Sequence, residues 1–351
     1  MIPSNVKDIL SKQHYSLVGE NSAVQICRWT KNSLKNGGIC YKEKFYGIKC
    51  HQCCQMTPAV VWCQNKCLHC WRAIEHTLGI RIKEEDSPKK IVDGCIEAQR
   101  KLLQGFKIDD KSEKKQLSRA NMKKWEEAQE SMQFAISLSG EPMIYKKIGG
   151  LIEELRRRKK TSFLVTNGLC PKKIKEIRDK NQLPTQLYIS VNSSNKKDYE
   201  KFHRSCEKNA WEKLNETLEI LPSLSCKTAP KGVHQGGART SSRPRDISKG
   251  MSTRGIFRIN LIKDLNMDEN NINEFAEMIK KSKPIFVELK GFMSVGFARE
   301  RLDYERMPWH KDVLEFAEKL ATATDLKILD EHERSCAVVL GRDKNLLKIK
   351  L

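Results

Sequence analysis

The chain has 351 residues, with 65 Lys and Arg against 44 Asp and Glu, a formal net charge of +21. That length suits one large α/β barrel or two domains, and the charge favours a polyanionic partner, nucleic acid before any other. No apolar run approaches the roughly eighteen residues of a membrane span, and Met1-Ile2-Pro3-Ser4-Asn5 lacks a signal-peptide core. A membrane or secreted protein is therefore not expected, and the cytoplasm, where thiols stay reduced, is.

In chain order the first signal is cysteine. Of 13 cysteines, Cys27, Cys40, Cys50, Cys53, Cys54, Cys63, Cys67 and Cys70 fall in the first fifth of the chain. This is too dense for incidental burial and unlike a small secreted framework. Cys27, Cys40 and Cys53 recur at equal spacing, and a second iron–sulfur cluster is the economical reading of them. Cys50 and Cys54 compete for the third place, and zinc on the same thiols is the alternative. Cys63, Cys67 and Cys70 follow in C-x3-C-x2-C spacing, which suits three thiolates around one cubane cluster and leaves one iron open. An open iron can chelate S-adenosylmethionine (SAM) and reduce it to a hydrogen-abstracting 5′-deoxyadenosyl radical. A zinc knuckle would usually bring a second C-x2-C or His pair at matching distance, and none follows. Cys95, Cys170, Cys206, Cys226 and Cys336 read as ordinary thiols.

Beyond the cysteines, β-rich runs alternate with helical ones. Strands are expected at 59–62, 134–138, 162–166, 187–191, 256–261 and 285–289, and helices near 88–106, 142–160, 171–180, 195–221, 269–281 and 309–321. Repeated βα units imply a parallel sheet, and in a closed one the active site lies at the carboxyl ends of the strands. There stand Ser139-Gly140-Glu141-Pro142, Asn167-Gly168, Ser190 with Asn192-Ser193-Ser194, Asn260 and Lys290-Gly291. Gly140-Glu141-Pro142 can offer a carbonyl and a negative charge to the methionine ammonium of SAM, although the same tripeptide is a common helix start.

These motifs resemble the radical-SAM superfamily, which implies a partial (β/α)6 TIM-like barrel. More narrowly, Cys40-Tyr41-Lys42-Glu43-Lys44-Phe45-Tyr46-Gly47, His51-Gln52-Cys53, Thr57-Pro58, Trp62-Cys63, Ser137 to Pro142, Thr166-Asn167-Gly168, Pro184 to Ser190 and Val287-Glu288-Leu289-Lys290 resemble the archaeal tRNA 4-demethylwyosine synthases. The resemblance implies two [4Fe-4S] clusters, the SAM-binding one on Cys63, Cys67 and Cys70 and an auxiliary one on Cys27, Cys40 and Cys53. Gly140, Glu141, Pro142, Asn167, Ser190 and Asn192 are the expected SAM-site residues. Pyruvate is implied as co-substrate, condensing with 1-methylguanosine beside the anticodon of phenylalanine tRNA, and an external one-electron donor is required. Lys42 is the first choice for an amine forming an imine with pyruvate, and Lys290 the second. The same chemistry could serve a radical-SAM activase or methyltransferase, and a zinc-bearing RNA-binding module would use the thiols without catalysis.

The expected organisation is an auxiliary-ligand segment 1–58, a barrel 59–330 and a C-terminal segment 331–351, acting as a monomer. Residues 229–255 interrupt the fifth barrel strand with a Gly, Ser, Arg and Pro-rich, aromatic-free insert, expected to be disordered and non-catalytic. Lys146, Lys147 and the run Arg156 to Lys160 are candidates to track phosphates, and Trp71 and Trp309 to stack on bases. A solvated helix face and core packing account for them equally well.

Overall fold

The computed structural model describes residues 2–107, 120–225 and 253–349. Among these, the strands in chain order are β1 (Ser16–Val18), β2 (Ser22–Gln25), β3 (Cys53–Thr57), β4 (Gln133–Ile136), β5 (Thr161–Thr166), β6 (Gln186–Ser190), β7 (Arg254–Leu261), β8 (Phe286–Gly291), β9 (Lys327–His332) and β10 (Ala337–Gly341). They form one sheet in the order β1-β2-β3-β4-β5-β6-β7-β8-β10-β9. Every pair from β3 to β8 is parallel. The flanking pairs at both ends are antiparallel. This is the expected partial (β/α)6 barrel, extended by a hairpin at each end.

The helices are α1 (Ser4–Lys12), α2 (Arg28–Leu34), α3 (Tyr41–Tyr46), α4 (Pro88–Leu103), α5 (Met122–Ala128), α6 (Ile148–Arg157), α7 (Pro171–Asp179), α8 (Lys196–His203), α9 (Ala210–Ser225), α10 (Glu269–Ser282) and α11 (His310–Thr324). Strand alternation sorts the side chains into two cores. Cys54, Met56, Phe134, Ile136, Leu164, Leu187, Ile189, Phe257, Ile259, Val287 and Leu289 pack outward in the main core beneath the helices. Phe163, Tyr188, Ile256 and Phe286 point into the bore, where they meet Tyr41, Phe45 and Tyr46 of α3. The short α3 is therefore a plug inside the barrel.

The first barrel strand is Cys53–Thr57, which ends before the expected strand Ala59–Trp62 begins. Ala59, Val60, Val61 and Trp62 are buried, yet they form a turn: Trp62 N–H donates to Ala59 O at 3.2 Å and Val60 N–H to Asn21 O at 3.1 Å. A short apolar run cannot by itself separate a buried turn from a strand. The boundary expected after residue 58 thus falls behind a barrel strand. The helix expected at 142–160 starts as a 3-10 turn, Pro142–Ile144, before α6. The one expected at 195–221 is two, broken where Arg204 turns left-handed at φ 46°. Arg254 and Gly255, assigned to the insert, belong to β7, Thr253 before them is buried and donates from Oγ1 to Pro184 O at 2.5 Å, and residues 229–252 lie outside the described residues.

The carboxyl ends of β6 and β7 are tied by one side chain. Asn266, buried, donates from Nδ2 to Asn192 O and Asn260 O, both at 2.9 Å, and accepts from Ile262 N–H at 2.7 Å. Asn266→Ala strands three buried backbone groups, so the unfolding free energy should fall by about 2–4 kcal/mol in denaturant titration. A loss under about 0.5 kcal/mol would show that water replaces the amide.

Candidate active site

The loop 63–72 leaves the carboxyl end of β3 and makes few hydrogen bonds within itself. Its shape is set from outside. Lys66 N–H and Leu68 N–H donate, at 3.0 Å each, to the carbonyls of His203 and Phe202, which end α8 and have no intrahelical partner. Arg301, in the segment after β8, donates to Leu68 O at 3.3 Å, to Cys70 O, and to Arg72 O at 3.2 Å, and pairs with Glu75 at 3.2 Å. Neither clamp was legible in sequence.

The structure brings the thiols of Cys63, Cys67 and Cys70 together around Arg72, each close enough to bear electrostatically on the others. Cys67 Sγ lies 3.1 Å from His203 Nδ1, and Cys63 Sγ accepts from Asn65 N–H at 3.4 Å. Burial pushes the Cys63 thiol up to about 11 and raises Cys67 further. Arg72 is buried with Nε and Nη1 unpartnered. A buried, half-satisfied guanidinium beside three thiols suits an anionic thiolate-bound group, so the residues fit the cluster. Thiolates on separate irons need not converge on one point, and among the described residues no three Cys, His, Asp or Glu do so.

Above this loop, Gly140 holds φ at +67°, and a Cβ there would stand 1.7 Å from Ala59 O and 2.8 Å from Trp62 O. Glu141 N–H donates to Trp62 O at 2.8 Å. The Glu141 carboxylate, expected to face a ligand, is buried and occupied: Thr166 Oγ1 donates at 2.7 Å, Asn167 N–H at 2.7 Å and Met143 N–H at 3.0 Å. Burial raises it to about 7 despite these donors. Asn167 Nδ2 donates to Gln64 Oε1 at 3.1 Å, linking the β5 end to the cysteine loop. Asn192 Oδ1 accepts from Asn260 N–H at 2.9 Å, a strand-end tie, and Ser190 is half-buried on the bore face.

The second thiol set lies inside the barrel. Cys27 caps α2, accepting from Thr30 N–H at 3.3 Å, Cys40 precedes α3, and Cys53 opens β3. The three bear on one another electrostatically, and burial leads in pushing Cys40 up to about 12. The rival thiols turn elsewhere. Cys54 follows Cys53 on the strand, so it faces outward, toward Cys95 O at 3.9 Å. Cys50 points at Trp29 O, 3.8 Å away.

Lys42 is buried beside this set, its Nζ 4.8 Å from the Tyr188 ring centroid and 5.4 Å from that of Phe163. Burial lowers its pKa, Glu288 opposing and Arg258 reinforcing. Lys290 donates to Ser335 O at 2.8 Å, and burial, then Arg258, lowers it to about 8. Between them sits Glu288, fully buried, accepting from Tyr41 Oη at 2.9 Å and Tyr46 Oη at 3.1 Å, with Arg258 Nε at 3.4 Å. Arg258 and Glu288 were missed, although each is a charge inside an apolar strand run.

The basic run fares differently. It ends α6, which leads into the start of β5, so it lies at the barrel end away from the strands' carboxyl ends. Arg157 and Arg158 pair with Glu154, and Lys160 with Glu130. Arg156 donates to Asn181 O and Leu183 O. Trp71 stacks on Tyr15 at 5.9 Å, whereas Trp309, after β8, is 55 % exposed.

Residues 57–229 match the radical SAM superfamily and 281–342 the wyosine base formation family. The chain is 39% identical, over 97% of its length and 90% of the relative's, to the S-adenosyl-L-methionine-dependent tRNA 4-demethylwyosine synthase of Pyrococcus abyssi. It is 32% identical to that of Methanocaldococcus jannaschii over 100% of both chains. A solved structure of TYW1 with a lysine–pyruvate adduct bound superposes with a TM-score of 0.78 at 31% identity, covering 99% of this chain and 98% of that one. Archaeal TYW1 gives 0.73 at 28% identity, covering 99% and 100%. The chain belongs to the radical-SAM tRNA 4-demethylwyosine synthases, enzymes that use SAM and a [4Fe-4S] cluster to form the wyosine base on tRNA.

Two left-handed glycines beside the loop separate strain from collision. Gly79, at φ +88°, has nothing within 4 Å of an added Cβ. Gly79→Ala should cost about 1–2 kcal/mol, from backbone alone, and Gly140→Ala at least about 2 kcal/mol more. Equal losses in chemical denaturation would mean that the Ala59 turn yields freely.

Proposed function

We propose that the chain joins pyruvate to 1-methylguanosine next to the anticodon of phenylalanine tRNA, yielding 4-demethylwyosine, with Lys42 as the amine that captures pyruvate. The observation that carries this reading is the convergence of Lys42, Lys290, Cys27 and Cys53 within electrostatic reach of Cys40. The lysine–pyruvate adduct in a structural relative supports it.

Cys63, Cys67 and Cys70 would hold the cluster that supplies the electron for SAM cleavage and hence the 5′-deoxyadenosyl radical. Cys27, Cys40 and Cys53 would hold the auxiliary [4Fe-4S] cluster. Gly140, Glu141, Pro142 and Asn167 shape the SAM site by fixing the turns around the cysteine loop, with Ser190 on the bore face and Asn192 bracing the neighbouring strand ends. The Lys42 amine attacks the C2 carbonyl of pyruvate, and loss of one water leaves the imine. The bore keeps bulk water from that imine, since Tyr41, Phe163 and Tyr188 are buried around it. The methylated base enters from the strands' carboxyl end, leaving its stack to do so, and Trp309 with Tyr304, 57 % exposed, offers it aromatic faces. The protein acts as a cytoplasmic monomer served by an external one-electron donor.

Anaerobic reconstitution should load about eight iron atoms, as two cubanes. Replacing Cys63, Cys67 and Cys70 together by alanine should abolish SAM cleavage and leave about half that iron. Full loading of the triple variant would contradict the assignment.

Borohydride with labelled pyruvate should reduce the imine to a secondary amine on the peptide carrying Lys42. Lys42→Ala should still cleave SAM but lose product formation by at least about a thousandfold. Label on Lys290 would move the imine there. No label anywhere, with normal product from Lys42→Ala, would end the imine mechanism.

A further inference from the structure

Three cations stand in the bore beside one carboxylate and the thiols of Cys40 and Cys53. Lys42, Lys290 and Arg258 face one carboxylate, Glu288, and that carboxylate is already occupied on both oxygens by Tyr41 and Tyr46. Arg258 sits on β7 in register with Ser190 of β6 and Glu288 of β8. Its Nε lies 3.4 Å from Glu288 Oε1. Among the described residues its terminal Nη1 and Nη2 donate no hydrogen bond, its ion pair is with Glu288, and the side chain is 22% exposed while Glu288 has no exposure. A guanidinium held from behind with its outer fork open is the arrangement that takes a carboxylate in two parallel hydrogen bonds. The charge of Arg258 also bears on Lys42, on Lys290 and on His69 of the cysteine loop, so the guanidinium stands within reach of both amines and of that loop.

We infer that Arg258 is the carboxylate-binding residue of the bore, its two Nη atoms receiving the carboxylate of a 2-oxo acid whose carbonyl is presented to the lysine amine. This rests on the reading of pyruvate as co-substrate and adds to it the group that recognises the acid end. A ketone lacking the carboxylate charge lacks this anchor. The assignment also accounts for an arginine set between Phe257 and Ile259 in the middle of β7, where the cost of burial needs a partner stronger than one contact at 3.4 Å.

The test uses the reconstituted full-length protein without SAM, and two labelled ketones, pyruvate and its methyl ester. Equilibrium dialysis reads binding, and borohydride trapping reads the imine separately. Wild type should bind pyruvate at least tenfold more tightly than the ester, taking about tenfold as the lower bound for a charged hydrogen-bonded pair. Arg258→Gln should weaken pyruvate by about ten- to hundredfold and leave the ester unchanged, with iron content as the check on folding. Arg258→Lys, which keeps the charge without the fork, should fall between, and it carries the test if the glutamine variant does not fold. Unchanged pyruvate affinity in either soluble variant, or wild type binding both ketones alike, overturns the assignment. Retained discrimination in dialysis with no trapped adduct would instead sink the imine and leave Arg258 standing.

Discussion

A carboxylate in the middle of a barrel determines where everything else in the bore can stand. Glu288 has no solvent exposure, and an unpaired charge there would cost several kcal/mol. Its partners are two phenols and a guanidinium, and both phenols come from α3, a helix of 6 residues that belongs to no sheet and would otherwise have little reason to enter. Tyr41 and Tyr46 draw that helix inside, and the residues beside Tyr41 follow it. Cys40 at the cap and Lys42 in the first turn thereby reach the wall where Cys53 begins β3. Consecutive helical residues point about 100° apart, so Tyr41 can meet Glu288 while Lys42 turns to Tyr188 and Phe163.

The same economy governs the cysteine loop at the other end of β3. Its donors and acceptors are satisfied by the end of α8 and by Arg301, which come from distant parts of the chain. Residues 281–342, which match the wyosine base formation family, thus contribute twice: Glu288 and Lys290 to the bore, and Arg301 to the cysteine loop. A radical-SAM core without that region would lack both the bore's counter-charge and one of the loop's two clamps.

The parallel strands β4 to β8 were legible because each is a short apolar run bounded by turn residues. The failure at Ala59–Trp62 has a physical cause. A turn packed beneath the Gly140 carbonyl-rich corner is as apolar as a strand, while the true strand, Cys53-Cys54-Gln55-Met56-Thr57, is built from residues that read as ligands and polar filler. The antiparallel pieces β1, β2, β9 and β10 are short or irregular, β9 and β10 shifting register between Val339 and Leu340, and their pairing is non-local. Arg258 and Glu288 stood in plain view inside strand runs, but only the register that sets them side by side gives the charge a meaning. Equal spacing groups Cys27, Cys40 and Cys53 but leaves Cys50 and Cys54 as rivals, and alternation along β3 explains why Cys54 turns away from Cys53.

The two thiol sets sit at opposite ends of one strand. Cys53 opens β3, and Cys63 follows its close. Four residue steps from Cys53 to Thr57 already span about 13 Å at the usual strand rise. Under the proposed assignments, a radical generated beside the loop must therefore meet a partner held part-way down the bore, since nothing at the Cys53 end can come to it. The amines of Lys42 and Lys290 are anchored, one among aromatic rings and the other on Ser335 O, and Arg258 stands beside them, two residues below Lys290 in strand register and within electrostatic reach of His69. A small keto acid fixed between amine and fork would present its carbonyl carbon from a rigid wall, and the moving participant would be the base that brings its N-methyl carbon in from the open end.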